Sequence, residues 1–335
     1  MYRNKSNRWW SIFLLVGSLL GSILFAGCSS QPKADQTNST TQTQLTKIRY
    51  SVFPGMNGMA IRMGVEKGFF AAEGLDVELI EMKDQVSGLT SGDLDFADMP
   101  TTNAIIGAGR GAPLKMIASM YRTKGPFYLI AKSDIKSIAD LKGKKIGISL
   151  FGSGLEVYAR MILEKNGINP EDVTFIANGS HSQAYASLQA GQVDATMIHE
   201  PFASLVEKTG EGRLLAKGWD YLPTFHTGVI ASRIDFIDQH PDLVEKTLRA
   251  YFKSQDYAKS HQDEFLKYVL SKTKVERDVL QAALQREEVL WENKPEIDMS
   301  ALNDTQNIQV QVGFQDKSYD LKNMVDLRFI PKKDQ

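Results

Sequence analysis

The sequence predicts an α/β fold of two similar lobes with a ligand cleft between them, and three observations carry that expectation. From Lys47 onward, short β-type runs alternate with helical patterns, as parallel sheets with covering helices require. At 335 residues, the chain exceeds the size at which a single core usually keeps growing. The third observation is an internal repeat. Lys47-Ile48-Arg49-Tyr50-Ser51-Val52-Phe53 matches Lys145-Ile146-Gly147-Ile148-Ser149-Leu150-Phe151 at an offset of 98, and Leu89-Thr90-Ser91-Gly92-Asp93-Leu94-Asp95 matches Leu188-Gln189-Ala190-Gly191-Gln192-Val193-Asp194 at an offset of 99. Each first block ends in Phe and a Gly-containing loop, and each second block leads to a short strand and then Pro100 or Pro201. Open parallel sheets bind ligands at the carboxyl ends of their strands. Two such lobes facing one another would line one cleft with the matched loops.

Taken in order, the chain starts with Arg3, Lys5 and Arg8, followed by the apolar stretch Trp9 to Phe25 and the small residues Ala26 and Gly27 before Cys28. This resembles a bacterial lipoprotein signal peptide: Leu24-Phe25-Ala26-Gly27-Cys28 fits, with Phe25 where Leu is usual. The resemblance implies cleavage before Cys28 and diacylglycerol on its thiol. Cys28 is the only cysteine, so no disulfide can form within one chain and the thiol is free for lipid. The alternative is an uncleaved transmembrane anchor, since about 17 apolar residues lie near the lower limit for a span. Two acyl chains would hold the chain firmly at a bilayer. Residues 29–46 are almost wholly Ser, Thr, Gln, Asn, Lys and Asp, which cannot bury enough apolar surface to fold and read as a tether.

The body is ordinary in composition, with 42% hydrophobic and 24% charged residues over the whole chain. The formal net charge is −1, and the leader holds three cations and no acid, so the body carries −4. A mildly acidic body without a basic stripe argues against nucleic acid as a partner. Strands are expected over Ile48 to Phe53, Val77 to Met82, Asp95 to Asp98, Lys115 to Tyr121, Ile146 to Leu150, Val173 to Ala177 and Ala195 to His199. After Ser153, Leu155, Tyr158, Ala159, Ile162 and Leu163 follow one buried helical stripe, opened by the capping box Ser153-Gly154-Leu155-Glu156 and stopped at Asn166-Gly167. Behind Pro241, Leu243, Val244, Leu248, Tyr251 and Phe252 form a second stripe.

A wider set of motifs then comes into view. Glu66-Lys67-Gly68-Phe69-Phe70, Glu73-Gly74-Leu75-Asp76-Val77, Leu89-x-x-Gly92-x-x-Asp95, Ala139-Asp140-Leu141-Lys142-Gly143-Lys144-Lys145-Ile146-Gly147 and His199-Glu200-Pro201-Phe202 follow in this order. Together they resemble the nitrate, sulfonate and taurine family of periplasmic-type binding proteins, which also includes binders of thiamine pyrimidine precursors. The likeness covers roughly Lys47 to Ser260. It implies a periplasmic-binding-protein-like fold of type II, with its cleft between lobes joined by two hinge strands. Residues 1–27 would be the leader, 28–45 the lipidated cysteine and tether, 46–132 plus 225–335 the first lobe, and 133–224 the second. The crossings would sit near Phe127 to Lys132 and Phe225 to Ala231. The resemblance also implies an extracytoplasmic protein that hands a small molecule to the permease subunits of an ABC importer by lobe closure, attached to the membrane through its N-terminal lipid, without catalysis or cofactor.

The loops expected at the cleft supply the candidate residues. Phe53, Met56, Met99, Tyr121 and Phe151 are candidate walls, although core packing explains each almost as well. Asn57, Thr101, Thr102, Asn178, His181, His199 and Glu200 are candidate polar contacts, with one of the two histidines at most expected to touch ligand. Gly152-Ser153-Gly154 can offer backbone N–H groups at a helix start, or Ser153 can simply cap its helix. Glu200 reads either as a cleft carboxylate or as an acid at a helix start. Arg122 is the one cation in these loops, set against Glu200 and Asp98, which favours a small organic ligand, sulfonate-like or heteroaromatic, over nitrate or bicarbonate. A dehydratase or pyrimidine synthase on the same fold is the rival reading. Against it stand the export signal, the absence of metalloprotease, phosphate-loop and nucleophile-elbow motifs, and five histidines without metal-ligand spacing. A sensory ectodomain is the third class, disfavoured by a polar tail ending at Gln335.

Overall fold

The computed structural model describes residues 44–121, 124–292 and 294–332. The leader, Cys28, most of the tether and Arg122 lie outside the described residues. Ten strands are described: β1 Thr46–Ser51, β2 Leu75–Ile80, β3 Phe96–Pro100, β4 Leu114–Tyr121, β5 Tyr128–Lys132, β6 Lys145–Ile148, β7 Thr174–Ala177, β8 Ala195–Ile198, β9 Gly212–Lys217 and β10 Gly228–Arg233. The helices of the first half are α1 Met56–Glu66, α2 Phe69–Ala72, α3 Gln85–Ser91 and α4 Thr101–Gly109. Those of the second are α5 Gly154–Lys165, α6 Ser182–Gln189, α7 Phe202–Thr209 and α8 Gly218–Tyr221. Beyond β10 come α9 Ile234–Gln239, α10 Pro241–Ser260, α11 Gln262–Lys272, α12 Arg277–Glu287 and α13 Met299–Gln311.

The strands form two five-stranded sheets, ordered β2-β1-β3-β10-β4 and β7-β6-β8-β5-β9. The halves are built alike, as the repeat anticipates: β1 corresponds to β6, β2 to β7, β3 to β8 and β4 to β9. Even the register recurs, with Ile48 opposite Val77 in one sheet and Ile146 opposite Phe175 in the other. In each sheet one strand is antiparallel to its neighbours, and it arrives directly after a crossing from the other half: β5 pairs with β8 and β9, and β10 with β3 and β4. The chain therefore leaves the first sheet at Tyr121, enters the second at Tyr128, and returns across 222–227. The segment Phe127 to Lys132, expected in the first crossing, differs in that β5 is paired along its whole length inside the second sheet.

The repeated Leu-x-x-Gly-x-x-Asp block has a structural reason. Leu89 and Leu188 are buried, and Gly92 and Gly191 take positive φ of 82° and 70° just past α3 and α6, where a side chain would be strained. The aspartate then staples the sheet. Asp95 Oδ2 accepts the Arg49 N–H at 2.9 Å, and Asp194 Oδ2 accepts the Lys145 N–H at the same distance. Such charge-assisted bonds contribute about 1.5–3 kcal/mol each.

Helix α5 is capped by Ser153 Oγ, which accepts the Glu156 N–H at 3.4 Å, but the expected capping box is not closed: Glu156 Oε2 accepts the Gly152 N–H at 2.7 Å, while the Ser153 N–H donates to the Leu150 carbonyl. Helix α10 opens on Pro241 and buries Leu243, Val244, Leu248, Tyr251 and Phe252 against β1 and the neighbouring core residues. Among the described residues no helix is long and apolar enough to cross a membrane.

Candidate functional site

The loop after β1 carries Phe53, and three constraints hold it. Its N–H donates to Asp98 Oδ2 at 3.0 Å, a carboxylate in the middle of β3 that also accepts the Tyr50 hydroxyl at 2.8 Å. A Cβ on Gly58 would lie 1.6 Å from the Phe53 carbonyl oxygen, so only glycine lets α1 pass so close. A Cβ on Gly55 would lie 2.7 Å from the Phe53 ring. Thus aimed, the ring meets Tyr121 of its own sheet edge-on at 6.0 Å and, across the gap between sheets, His181 at 6.2 Å and His199 at 5.3 Å. The cleft is closed on this aromatic group.

Each imidazole is fixed. His199 Nδ1 lies 2.6 Å from the Pro126 carbonyl, which can only accept, so the proton sits on Nδ1. Burial lowers its pKa to about 4, despite this hydrogen bond. His181 Nδ1 pairs with Ser180 Oγ at 2.9 Å, and burial, with His199 beside it, holds this ring well below the usual range. Both are neutral. His181 Nε2 and Tyr121 Oη are buried without a hydrogen-bond partner among the described residues. Burial also raises the Asp98 carboxyl to about 7.

Of the sequence-predicted residues, Phe53, Tyr121, His181 and His199 come together here. Thr102 and Gly154 form a second meeting point, where the starts of α4 and α5 face each other: a Cβ on Gly154 would lie 3.6 Å from Thr102 Oγ1. The others are occupied elsewhere. Met56 packs in the core with Phe265 and Leu280, and Asn57 is held by the Tyr251 hydroxyl at 2.8 Å and Gln255. Thr101 pairs with His226 Nδ1 at 2.9 Å, bracing the return crossing. Ser153 caps α5, and Asn178 bonds Thr196 at 3.2 Å.

Two expectations need correction. Phe151 is not among the rings that meet Phe53. Its strand ends at Ile148 and turns, with the Ser153 N–H donating to the Leu150 carbonyl, which leaves Phe151 at the tip and 66% exposed. It lines a crevice of about 610 Å³ with Val86, Asn103, Ile106, Arg110 and Phe314. Glu200 is not a free cleft carboxylate. It accepts Ser204 N–H and Oγ–H at 3.0 and 2.9 Å at the start of α7, and Arg286 Nη1 at 2.7 Å. Burial raises its pKa, and Arg286 opposes that.

Sequence reading missed Arg286 and Glu287 at the end of α12. Arg286 also grips Glu207, and Glu287 faces the Tyr128 hydroxyl of the second sheet at 3.5 Å. Lys208 of α7 lies between Glu276 and Asp278, so charged residues from the C-terminal helices tie the two halves together. No local pattern marks these residues in a helix that reads as ordinary amphipathic sequence.

Two sheets, two crossings and a site between them are the periplasmic-binding-protein fold, the two-lobe architecture that solute-binding proteins use. Residues 56–265 match the NMT1/THI5-like family, and the chain belongs to it. It is 28% identical over 318 residues to the "Putative aliphatic sulfonates-binding protein" of Bacillus subtilis, covering 92% of this chain and 93% of that one. It is 23% identical over 267 residues to the formylaminopyrimidine-binding protein of Halalkalibacterium halodurans, covering 77% and 78%. Its fold superposes on the ligand-binding component of an ABC-type import system from Staphylococcus aureus with a TM-score of 0.71, at 18% identity over 85% of this chain and 98% of that one.

Proposed function

We propose that the chain is the lipid-anchored, extracytoplasmic receptor of an ABC importer and captures a planar, amino-bearing heteroaromatic between its lobes. The moving bodies are the two sheets with their helices, hinged between β4 and β5 and between β9 and β10. The observation that carries this reading is the pair of buried polar atoms, Tyr121 Oη and His181 Nε2, both on residues in contact with the Phe53 ring and both without partners. Leaving such a group unpaired costs about 1–3 kcal/mol, which a bound solute with polar edges would recover. The aromatic faces suit a flat ring. The neighbouring groups give an anion little to pair with among the described residues: both imidazoles are neutral, and Arg286 is held by two glutamates. The pyrimidine-binding relative supports the same ligand class.

An aliphatic sulfonate is the second reading. It is favoured by the facing starts of α4 and α5, whose N–H groups suit an anionic head, and by the Bacillus subtilis relative. A thermal-shift panel on the purified chain separates them. An aminopyrimidine at about a hundred times its dissociation constant is expected to add roughly 2.7 kcal/mol. Tighter binding of nitrate or bicarbonate than of every organic compound would discard the proposal. The anchor has its own readout: the wild-type chain is expected to partition into detergent and Cys28→Ser into the aqueous phase, and aqueous partition of both would remove the lipid from the account.

A further inference from the structure

Helix α12 places a second carboxyl at the closed site, and nothing in the sequence motifs accounts for it. Glu287 ends that helix, is 1% exposed, and lies beyond the residues 56–265 that carry the family match. Its Oε1 receives the Tyr128 hydroxyl at 3.5 Å, the outer limit of a hydrogen bond, and its Oε2 has no partner among the described residues. Tyr128 follows directly on Phe127, whose ring meets His199 of the site at 5.2 Å. Tyr121 touches Phe53, and Phe53 touches His181. Glu287 Oε2, Tyr121 Oη and His181 Nε2 are thus three buried polar atoms without a partner among the described residues, carried by groups where the two sheets meet.

We propose that Glu287 is a specificity-determining residue that reads the ring-nitrogen and amino edge of the bound heteroaromatic. This rests on the ligand class proposed above and names the group that selects it. The chemistry follows from the surroundings. Burial raises the Glu287 carboxyl well above the usual range, the neighbouring Glu200 pushes it the same way, and Arg286 is already shared by Glu200 and Glu207. Held toward its neutral form, the group presents an O–H donor beside a C=O acceptor. That pair is complementary to a ring nitrogen beside an exocyclic amine: the acid O–H donates to the nitrogen and its carbonyl accepts from the amine. A sulfonate or nitrate offers acceptors only and leaves the carbonyl unmet.

Calorimetric titration of the full chain with 4-aminopyrimidine and with an alkanesulfonate tests the assignment in wild type, Glu287→Gln and Glu287→Ala, with far-UV circular dichroism reporting that each variant is folded. The amide of glutamine presents the same donor and acceptor, so E287Q is expected within about threefold of wild type for the aminopyrimidine. E287A is expected to be weaker by roughly 30-fold or more, the loss of two ordinary hydrogen bonds, with no matching loss for the sulfonate. Equal aminopyrimidine affinity in E287A, an equal loss for both ligands, or a loss in E287Q as large as in E287A would each overturn the role of Glu287 while leaving the ligand class standing. A folded wild type that binds no amino-heteroaromatic would overturn the ligand class itself, and this assignment with it.

Discussion

Replacing Arg286 by alanine is expected to open the molecule. Glu200 is completely buried at its side chain, and Arg286 Nη1, at 2.7 Å, is the cation that compensates it. Removing one partner of a buried ion pair costs about 3–5 kcal/mol, because the remaining charge is left without water. In a protein of two lobes the strain has an outlet short of unfolding. Arg286 belongs to α12, which packs with the first lobe through Leu280, whereas Glu200 follows β8 of the second, so separating the lobes returns the carboxylate to solvent. The expected result is a larger radius of gyration in small-angle scattering and a loss of ligand affinity of about a hundredfold, the equivalent of roughly 3 kcal/mol. The double variant Glu200→Gln with Arg286→Met removes both charges and keeps the volume, and it is expected to recover most of the compact form. An R286A protein as compact as wild type, with unchanged affinity, would show that the pair does not hold the lobes.

The second large effect is expected at Gly58→Ala, and its sign is the informative part. Inside a helix, glycine to alanine normally stabilises by about 1 kcal/mol. Here the new Cβ would lie 1.6 Å from the Phe53 carbonyl oxygen and 2.8 Å from the carbonyl carbon, both backbone atoms that no rotamer change can move. Overpacking of this kind costs about 1–3 kcal/mol. The expected outcome in urea denaturation is a net loss of about 2 kcal/mol, with ligand affinity falling at least about tenfold as the Phe53 loop shifts away from His181 and His199. A variant more stable than wild type would mean that α1 and this loop are not held as tightly as the contact distances require.

The fold was legible because its signals are local and repeated. Matched strands, matched Leu-Gly-Asp turns and strand-to-helix alternation survive in sequence, since each half solves the same packing problem with the same residue types. The site was only partly legible. Phe53, Tyr121 and His199 were accessible because they end strands whose direction the pattern fixes. Phe151 misled because its repeat equivalence to Phe53 holds for the strand and stops at the turn, where Gly152 and the α5 cap send the two phenylalanines different ways. Glu200 was placed correctly at the end of its strand, but its partner Arg286 lies 86 residues away, and no spacing rule joins them. Glu287 was invisible for the same reason: its importance comes from what the fold presses against it.

The strand exchange between the sheets has a bearing on how the chain is made. In the first sheet β10 lies between β3 and β4, so β4, finished by Tyr121, has no neighbour in its own sheet until residues 228–233 have been synthesised. More than a hundred residues must emerge before that edge is satisfied, and the tyrosine-lined core against α10 waits still longer. Such long-range closure is slow. Under the extracytoplasmic reading proposed above, this order of assembly leaves the polypeptide unfolded for longer before it crosses a membrane.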